Sequence, residues 1–318
     1  DIYAIPEGTV VFPREPLVKV IAPIMQAQLV ETAILNIVNH QSLIATKAAR
    51  VCYAAQGDGI MEFGLRRAQG PDAGTYGARA AVIGGCVGTS NVLCGQLFDV
   101  PVKGTHAHSW IMSFPDEYTA FKAYADMYPS ACILLVDTYD TLKSGVPNAI
   151  RVFQEMRQAG IPLTFYGIRL DSGDLAYLSK KARKMLDEAG FSDAVISASN
   201  DLDEFLIQSL KEQGAAITSW GVGTHLITSK DCPAFGGVYK LAAIKGKDGA
   251  FIPKIKLSEN TEKVTNPGDK TVYRIYEKES GKIKADLICL VDEKFSEKED
   301  LLLFDPNEPW KKTKLEAG

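Results

Sequence analysis

The distribution of apolar and polar positions divides the chain into regions of different structure. Residues 8–22 alternate apolar and polar side chains around prolines, which favours extended, edge-like strands. From Pro23 to about Ala55 the apolar residues recur at helical spacing, which predicts one long helix or two. Beyond residue 77, segments with helical periodicity alternate with short apolar runs.

This alternation determines the expected fold class. The predicted helices cover 78–83, 91–98, 116–127, 145–158, 174–189 and 201–213. The apolar runs cover 100–102, 132–136, 163–168, 194–198, 218–222 and 238–244. Because each run is too short for a helix, the pattern predicts an α/β fold with a parallel sheet and crossover helices. Six or more such repeats favour a closed or nearly closed barrel.

The composition changes after Ile244. Residues 245–303 are rich in Lys, Glu, Thr and β-branched side chains, with turn signals at 246–249, 266–269 and 279–281. This predicts a small antiparallel β-rich domain that strands from the start of the chain join. The predicted domains are therefore 1–22 with 246–318 as the small domain, and 23–245 as a helical lead-in and α/β barrel.

Several predicted strands end in polar or glycine-rich residues, namely at 104–108, 137–141, 169–174, 197–201 and 221–224. In a barrel these ends lie together at the face that carries active sites. Carboxylates combined with substrate phosphates are ligands of Mg²⁺, so the acidic residues could hold magnesium. We expect about half of them to serve only as caps or turns, and Asp174 and Asp201 to cap helices. The acidic residues are Asp137, Asp140, Asp171 and Asp174.

Three short stretches carry candidate chemistry. His106 and His108 fit two interpretations. Their i, i+2 spacing is used by metal ligands, or one of the two imidazoles alone acts as a nucleophile toward a phosphoryl group. A metal site would need more histidines, and neither His40 nor His225 is well placed. The pair at 66–67 is either a solvated turn or an arginine clamp for a carboxylate or phosphate. The glycines at 221 and 223 could expose backbone N–H groups to a phosphate.

Composition narrows the range of partners. The 318 residues carry a net charge of −4 without a long basic run, so nothing indicates a nucleic-acid or membrane surface. The six cysteines form no C-x-x-C pair and lie mostly in apolar runs, which is typical of a reducing, cytoplasmic compartment. Because the chain starts at Asp1 without Met and ends in polar residues, we expect a fragment of a longer protein.

The segments 62–72, 104–110, 134–141, 167–175, 197–203, 221–224 and 236–241 resemble, in order, the motifs of the nicotinate phosphoribosyltransferase family. Residues 256–259 and 265–268 resemble its small domain. The resemblance implies an irregular α/β barrel of the type II phosphoribosyltransferase class, with a second domain built from both chain ends. It also implies transfer of phosphoribosyl from phosphoribosyl pyrophosphate to nicotinate, giving nicotinate mononucleotide and pyrophosphate in NAD salvage, with ATP hydrolysis and Mg²⁺.

The resemblance also implies roles for individual residues. His108 would be phosphorylated by ATP, with Asp137 or Asp171 orienting its ring, whereas His106 occupies a variable position and is not expected to be catalytic. Asp171 would also bind the ribose hydroxyls and Mg²⁺. The substrate-binding residues would be Arg66 near the nicotinate carboxylate or pyrophosphate, Thr105 and Arg169 at nicotinate, Thr224 at the ribose 5-phosphate, and Ser199, Asn200, Gly221 and Gly223 in the phosphate cradle.

Two alternatives stay open beside this function. One is a related phosphoribosyltransferase that uses nicotinamide or quinolinate, because the available arginines fit one or two carboxylates. The other is an inactive, truncated barrel, because family members carry an N-terminal segment with a ring-stacking aromatic residue that does not precede Asp1 here. The family also builds its sites at a homodimer interface, so a homodimer is expected.

Overall fold

The computed structural model describes residues 1–257, 264–296, 298–305 and 308–316, and the chain divides into two compact units. The smaller unit comprises Asp1–Leu35 and Gly237–Gly318, and the larger unit comprises Asn36–Gly236. The first boundary between these units lies within a long helix, and the second lies between residues 236 and 237. The first and last segments of the chain share one unit.

Helices alternate with strands in the larger unit, whereas the smaller unit is mostly strands. The helices are α1 (Ile24–Leu29), α2 (Glu31–Ala54), α3 (Pro71–Ile83), α4 (Val92–Phe98), α5 (His108–Met112), α6 (Glu117–Met127), α7 (Val146–Gln158), α8 (Leu175–Glu188), α9 (Glu204–Glu212) and α10 (Thr224–Ile227). The strands are β1 (Ile2–Ala4), β2 (Val18–Val20), β3 (Gly59–Glu62), β4 (Gly88–Thr89), β5 (Cys132–Leu135), β6 (Tyr166–Leu170), β7 (Val195–Ala198), β8 (Ser219–Val222), β9 (Ala243–Lys245), β10 (Phe251–Pro253), β11 (Lys270–Tyr276), β12 (Ile283–Leu290), β13 (Leu301–Phe304) and β14 (Lys312–Leu315).

A parallel sheet of six strands forms the centre of the larger unit, in the order β4–β3–β8–β7–β6–β5. This is the cyclic order of a barrel that is open between β4 and β5. The predicted α/β fold with an irregular parallel barrel is therefore confirmed. Because the strands are parallel, their carboxyl ends meet at one face, as the sequence analysis expects for the site.

The predicted helices are confirmed, with two corrections at their starts. The first of the series begins at Pro71, not at residue 78, after Gly70 turns the chain at a φ of 110°. Asp174 caps α8 as predicted, accepting the Tyr177 N–H, but Asp201 does not cap α9. Asp203 takes that role and accepts the Leu206 N–H, so α9 starts two residues later than a cap at Asp201 would place it.

Four predicted strands match β5 to β8, and two predictions are wrong. Residues 100–102 form only an isolated parallel bridge between Val102 and Thr89, because Pro101 lacks an N–H group to continue a ladder. Residues 238–242 have no strand, and β9 pairs with β10 in an antiparallel hairpin of the smaller unit. The short strands β3 and β4 lie outside the predicted runs.

Large apolar side chains fill the space between the sheet and its helices, among them fully buried Phe121, Phe153 and Trp220.

A buried charged group lies in the same unit. The ammonium of Lys47 contacts carboxylate oxygens of Glu204 at 2.7 Å and Asp231 at 2.5 Å. Burial of a charge is tolerated when it is paired in this way. These contacts join α2 to the start of α9 and to the segment after α10.

The smaller unit contains antiparallel pairs, β1–β2, β9–β10, β11–β12 and β13–β14, which confirms the predicted β-rich domain. Of residues 8–22, predicted as extended strands, only β2 is a strand. Arg274 on β11 donates two hydrogen bonds, at 2.9 and 2.8 Å, to Asp286 on β12. The family-like stretch 256–259 lies partly outside the described residues, at 258 and 259. In the described chain no helix is long and apolar enough to cross a membrane.

Candidate active site

The carboxyl ends of β3, β6, β7 and β8 surround one cavity of about 350 Å³ in the larger unit. It contains nine of the site residues predicted from the sequence. The lining residues are Phe63, Arg66, Arg67, Ala107, His108, Arg169, Asp171, Ser199, Asn200, Asp201, Gly221, Gly223 and Thr224. The two remaining predicted residues, Thr105 and Asp137, lie behind this lining and hydrogen-bond to it.

Asp137 and Asp171 form an acidic wall at the ends of β5 and β6. The Asp137 Oδ2 accepts the Asp171 N–H at 2.7 Å and the Ser172 hydroxyl at 2.8 Å. Its other oxygen, Oδ1, is buried without a hydrogen-bond partner. The Ser199 hydroxyl donates to Asp171 Oδ1, which links the ends of β6 and β7. An unpaired buried carboxylate oxygen beside a second carboxylate is a favourable place for a cation.

His108 stands against this wall at the start of α5, and its side chain is 39% exposed. Its Nε2 lies 3.6 Å from Asp171 Oδ2 and 4.0 Å from Asp137 Oδ1. The other nitrogen, Nδ1, contacts the Thr138 hydroxyl oxygen at 3.1 Å. Both carboxylates therefore face Nε2, and the Thr138 hydroxyl faces Nδ1; the orienting role of Asp137 or Asp171 stays a prediction.

Arg169 lies within β6 and points its guanidinium into the cavity. One terminal nitrogen donates to the Thr105 hydroxyl, whereas Nε is buried without a partner. Burial lowers the Arg169 pKa from its usual value, while the charges of Asp171 and Asp137 act in the opposite direction. Because a guanidinium has five N–H donors in a planar fork, this one has donors left for a carboxylate.

The part of the lining at the ends of β7 and β8 is built from close backbone approaches. A Cβ on Gly221 would lie 2.5 Å from the Phe63 ring, and one on Gly223 would lie 3.2 Å from the Phe63 carbonyl oxygen. Asn200 has a φ of 96°, which is uncommon for a residue other than glycine and is often seen at functional sites. The two glycines therefore allow this backbone to pack directly against Phe63 at the lining of the cavity.

Glu62 stabilises the start of the turn that carries Arg66 and Arg67 by a hydrogen bond to the Gly64 N–H. Its side chain is fully buried at the end of β3, where it accepts the Gly64 N–H and, at 2.6 Å, the Thr89 hydroxyl. Burial raises the Glu62 pKa, and the two hydrogen bonds oppose this effect. These contacts hold the 3₁₀ turn Leu65–Arg67 over the cavity.

The sequence analysis missed part of the lining. From the sequence, Arg67 fits either a solvated turn or a clamp, Asp201 is expected to cap a helix, and Phe63 carries no prediction. Only the paired arginines gave a signal, because an aromatic ring beside a strand end has no distinctive spacing. Of the four acidic candidates, Asp174 caps α8 and Asp140 accepts the Lys143 N–H at the start of the turn 141–145, as expected for about half of them.

His106 does not face the cavity. Its ring is buried, and Nε2 accepts the Leu135 N–H at 3.3 Å. The two histidines of the motif therefore do not converge as a metal-ligand pair. Among the described residues, no group of three or more His, Cys, Asp or Glu side chains is arranged to hold a metal ion. Two carboxylates remain compatible with Mg²⁺, which takes few protein ligands and completes its shell with water and phosphate.

An open parallel barrel with a polar pocket at its strand ends is the architecture of the type II phosphoribosyltransferases. A crystal structure of human nicotinic acid phosphoribosyltransferase matches all of this chain and 69% of its own, with a TM-score of 0.83 and 31% identity. Nicotinate-nucleotide pyrophosphorylase from Pyrococcus furiosus matches 92% of this chain and 69% of its own, with a TM-score of 0.74 and 26% identity.

Sequence comparison identifies the family. Residues 59–278 match the nicotinate phosphoribosyltransferase (NAPRTase) family, and residues 269–317 match the nicotinate phosphoribosyltransferase C-terminal domain. The chain belongs to this family. The nicotinate phosphoribosyltransferase of Bacillus subtilis is 56% identical over 96% of this chain, and that of Dictyostelium discoideum is 44% identical over 86%. The chain spans 61% and 53% of the lengths of these two relatives.

Proposed function

We propose that this chain carries the active site of a nicotinate phosphoribosyltransferase that acts in NAD biosynthesis. The observation that carries the proposal is the pocket itself, whose lining combines Arg169, a buried cation with an unpaired donor, with the glycine backbone at 221 and 223. These are complementary to a single carboxylate and to phosphates, respectively. The named relatives act on nicotinate, which carries one carboxylate.

Nicotinate and phosphoribosyl pyrophosphate are assigned to different residues of the pocket. Arg169 and Thr105 bind the nicotinate carboxylate, and Arg66 lies near that carboxylate or the pyrophosphate. Thr224 binds the ribose 5-phosphate, and the rest of the cradle is formed by Ser199, Asn200, Gly221 and Gly223.

The chemical step joins the two bound substrates. The pyridine nitrogen attacks C1 of the ribose, the bond from C1 to the pyrophosphate oxygen breaks, and pyrophosphate leaves with that electron pair. Holding both substrates in this geometry lowers the activation barrier, because a bimolecular reaction becomes an effectively unimolecular one.

Mg²⁺ fits the acidic wall. Asp171 would hold it, with the unpaired Asp137 Oδ1 as a further oxygen close by. When bound, the ion would neutralise charge on the pyrophosphate leaving group. Asp137 keeps Asp171 in position through the Asp171 N–H, at 2.7 Å, so it contributes even where it is not itself a ligand.

We also propose that ATP is a co-substrate and that it phosphorylates His108. With the proton on Nδ1, toward the Thr138 hydroxyl oxygen, Nε2 carries the lone pair and faces the pocket. Attack of Nε2 on the γ-phosphorus forms a P–N bond and breaks the bond to ADP. The phosphohistidine would add about two negative charges beside the acidic wall, which favours a rearrangement of cations there.

The environment of the protein is also part of this proposal. All six cysteines are free thiols, which is consistent with a reducing, cytoplasmic setting.

An exposed apolar group on α4 bears on the oligomeric state. The α4 side chains Val92, Leu93 and Leu97 are exposed, and apolar side chains grouped on a surface are often buried by an oligomer. We expect a homodimer, which light scattering on the purified protein tests.

The direct test incubates the full chain with phosphoribosyl pyrophosphate and either nicotinate, nicotinamide or quinolinate, with and without ATP, and quantifies the mononucleotide by chromatography. We expect product from nicotinate only, formed faster with ATP. Preference for quinolinate or nicotinamide would refute the substrate assignment. An inactive chain whose melting temperature does not respond to either nicotinate or phosphoribosyl pyrophosphate would support the truncated-barrel alternative, since ligands of the native state raise that temperature.

A further inference from the structure

The opening of the barrel between β4 and β5 is filled by residues 101–108. On the β4 side the connection is made by the backbone. The Thr89 N–H donates to the Pro101 carbonyl oxygen at 3.0 Å, and the Lys103 N–H donates to the Thr89 carbonyl oxygen at 2.9 Å. The segment thus continues the sheet by two hydrogen bonds and then leaves it.

On the β5 side the connection is made by a side chain. The Val136 N–H points to β6 and donates to the Arg169 carbonyl oxygen at 3.2 Å, so the preceding N–H, that of Leu135, points to the open edge. There it donates to His106 Nε2 at 3.3 Å. Without this acceptor a buried backbone N–H would have no partner, which proteins rarely tolerate.

The surroundings of His106 fix the ring in this position. It is 8% exposed and packs edge-on against Tyr124, with 4.6 Å between ring centroids. Burial lowers the His106 pKa to about 4, so the ring is neutral near pH 7 and Nε2 is free to accept. Acceptance at Nε2 places the ring proton on Nδ1, which is buried without a hydrogen-bond partner, so Nε2 makes the one side-chain hydrogen bond of this ring among the described residues.

The residues on either side of His106 reach into the proposed active site. The Thr105 hydroxyl accepts from Arg169, and His108 Nδ1 lies 3.1 Å from the Thr138 hydroxyl oxygen. We propose that His106 is a positioning residue whose imidazole closes the barrel opening by accepting the Leu135 N–H, and thereby holds Thr105 against Arg169 and His108 against the acidic wall. The kinetic part of this inference rests on the proposed function, whereas the contact itself does not.

Two substitutions separate the hydrogen bond from the packing. His106→Gln places an amide group near the position of Nε2, so an acceptor can be retained. His106→Phe retains an aromatic ring against Tyr124 but has no acceptor. His40→Phe is the matched control, because His40 is a partly buried histidine of α2 whose Nε2 has no partner and which does not line the cavity.

The direct readout is hydrogen exchange of the Leu135 amide, followed by NMR. We expect exchange to be at least about tenfold faster in His106→Phe and close to wild type in His106→Gln and His40→Phe, because only the Phe variant loses the acceptor. Wild-type exchange in His106→Phe, or equally fast exchange in both His106 variants, would overturn the proposed contact.

The kinetic readout tests positioning. In His106→Phe we expect the nicotinate KM to rise and kcat to fall, by about tenfold to a hundredfold together, while the KM for phosphoribosyl pyrophosphate stays within about twofold. His106→Gln should recover most of this loss. Equal effects on both KM values, or a loss that His106→Gln does not recover, would indicate general destabilisation and refute the positioning role.

The two readouts distinguish the failure of this inference from the failure of the proposed function. If wild-type protein forms no nicotinate mononucleotide, the proposed function fails, and the exchange of the Leu135 amide still decides whether His106 closes the opening. If wild-type protein is active but neither exchange nor KM responds to His106→Phe, the function stands and the inference is wrong.

Discussion

Replacement of Arg169 by lysine tests the assignment of the nicotinate carboxylate. In the structure one guanidinium nitrogen already donates to Thr105, and the buried Nε is unpaired. A ligand carboxylate can therefore take two parallel N–H donors, whereas the single ammonium of lysine cannot form the same fork. Loss of a hydrogen bond to a charged group costs about 1–3 kcal/mol, which is about 5-fold to 150-fold in affinity.

The assay is steady-state kinetics of Arg169→Lys with each substrate varied in turn. We expect the nicotinate KM to rise within that range, and the KM for phosphoribosyl pyrophosphate to change little, because the phosphate cradle lies on β7 and β8. A matched control is Arg183→Lys, since Arg183 donates to Asp187 at 2.8 Å and to the Ala194 carbonyl oxygen at 2.7 Å outside the pocket. The control should lower the melting temperature without changing either KM. An unchanged nicotinate KM in Arg169→Lys would remove Arg169 from the carboxylate site.

Three further predictions follow from the site and its support. His108→Ala should abolish stimulation by ATP and the acid-labile, alkali-stable label from γ-labelled ATP, yet retain slow ATP-independent synthesis; label retained in this variant refutes the assignment. Gly223→Val should weaken phosphoribosyl pyrophosphate binding about tenfold or more by calorimetry, because its Cβ would lie 3.2 Å from the Phe63 carbonyl oxygen and displace the backbone of the proposed phosphate cradle; normal affinity in this variant would place the cradle elsewhere. As the pH drops from about 6.5 to about 4, the free energy of unfolding should fall by about 2–3 kcal/mol more in the wild type than in His106→Phe, because the unfolded chain binds the His106 proton that the folded chain excludes. The same pH dependence of the free energy of unfolding in both proteins, measured by denaturant titration, would contradict this.

The repeating units of the fold could be predicted because their signals are local. Apolar periodicity located α6 to α9 and β5 to β8, and parallel pairing then placed the polar strand ends on one face. The two wrong strands depended on contacts that a local pattern does not show. The run at 100–102 looks like a strand, but only its surroundings decide that it makes one bridge instead of a ladder. The run at 238–244 is apolar for a different reason, since part of it pairs in a hairpin.

The site was partly predictable for the same reason. The residues at strand ends could be found, but their partners could not, because contacts such as Glu62 with Thr89 and Arg169 with Thr105 join residues that are distant in sequence. The orientation of His108 depends on such a contact, since Thr138 and not a carboxylate lies at Nδ1. A short motif specifies which groups are present, and the sheet order specifies which of them meet.

The charge arrangement of the pocket gives a physical reason for the proposed cation. The chain carries a net charge of −4, so no long-range field attracts an anionic substrate, and the attraction must come from local groups such as Arg66 and Arg169. Asp137 and Asp171 stand within the same site and would repel a pyrophosphate placed beside them. A divalent cation between carboxylates and phosphates turns this repulsion into attraction, which is how Mg²⁺ is commonly bound with few protein ligands. The acidic wall is therefore compatible with the proposed substrates only when a cation accompanies them, and the unpaired Asp137 oxygen lies where that cation would be needed.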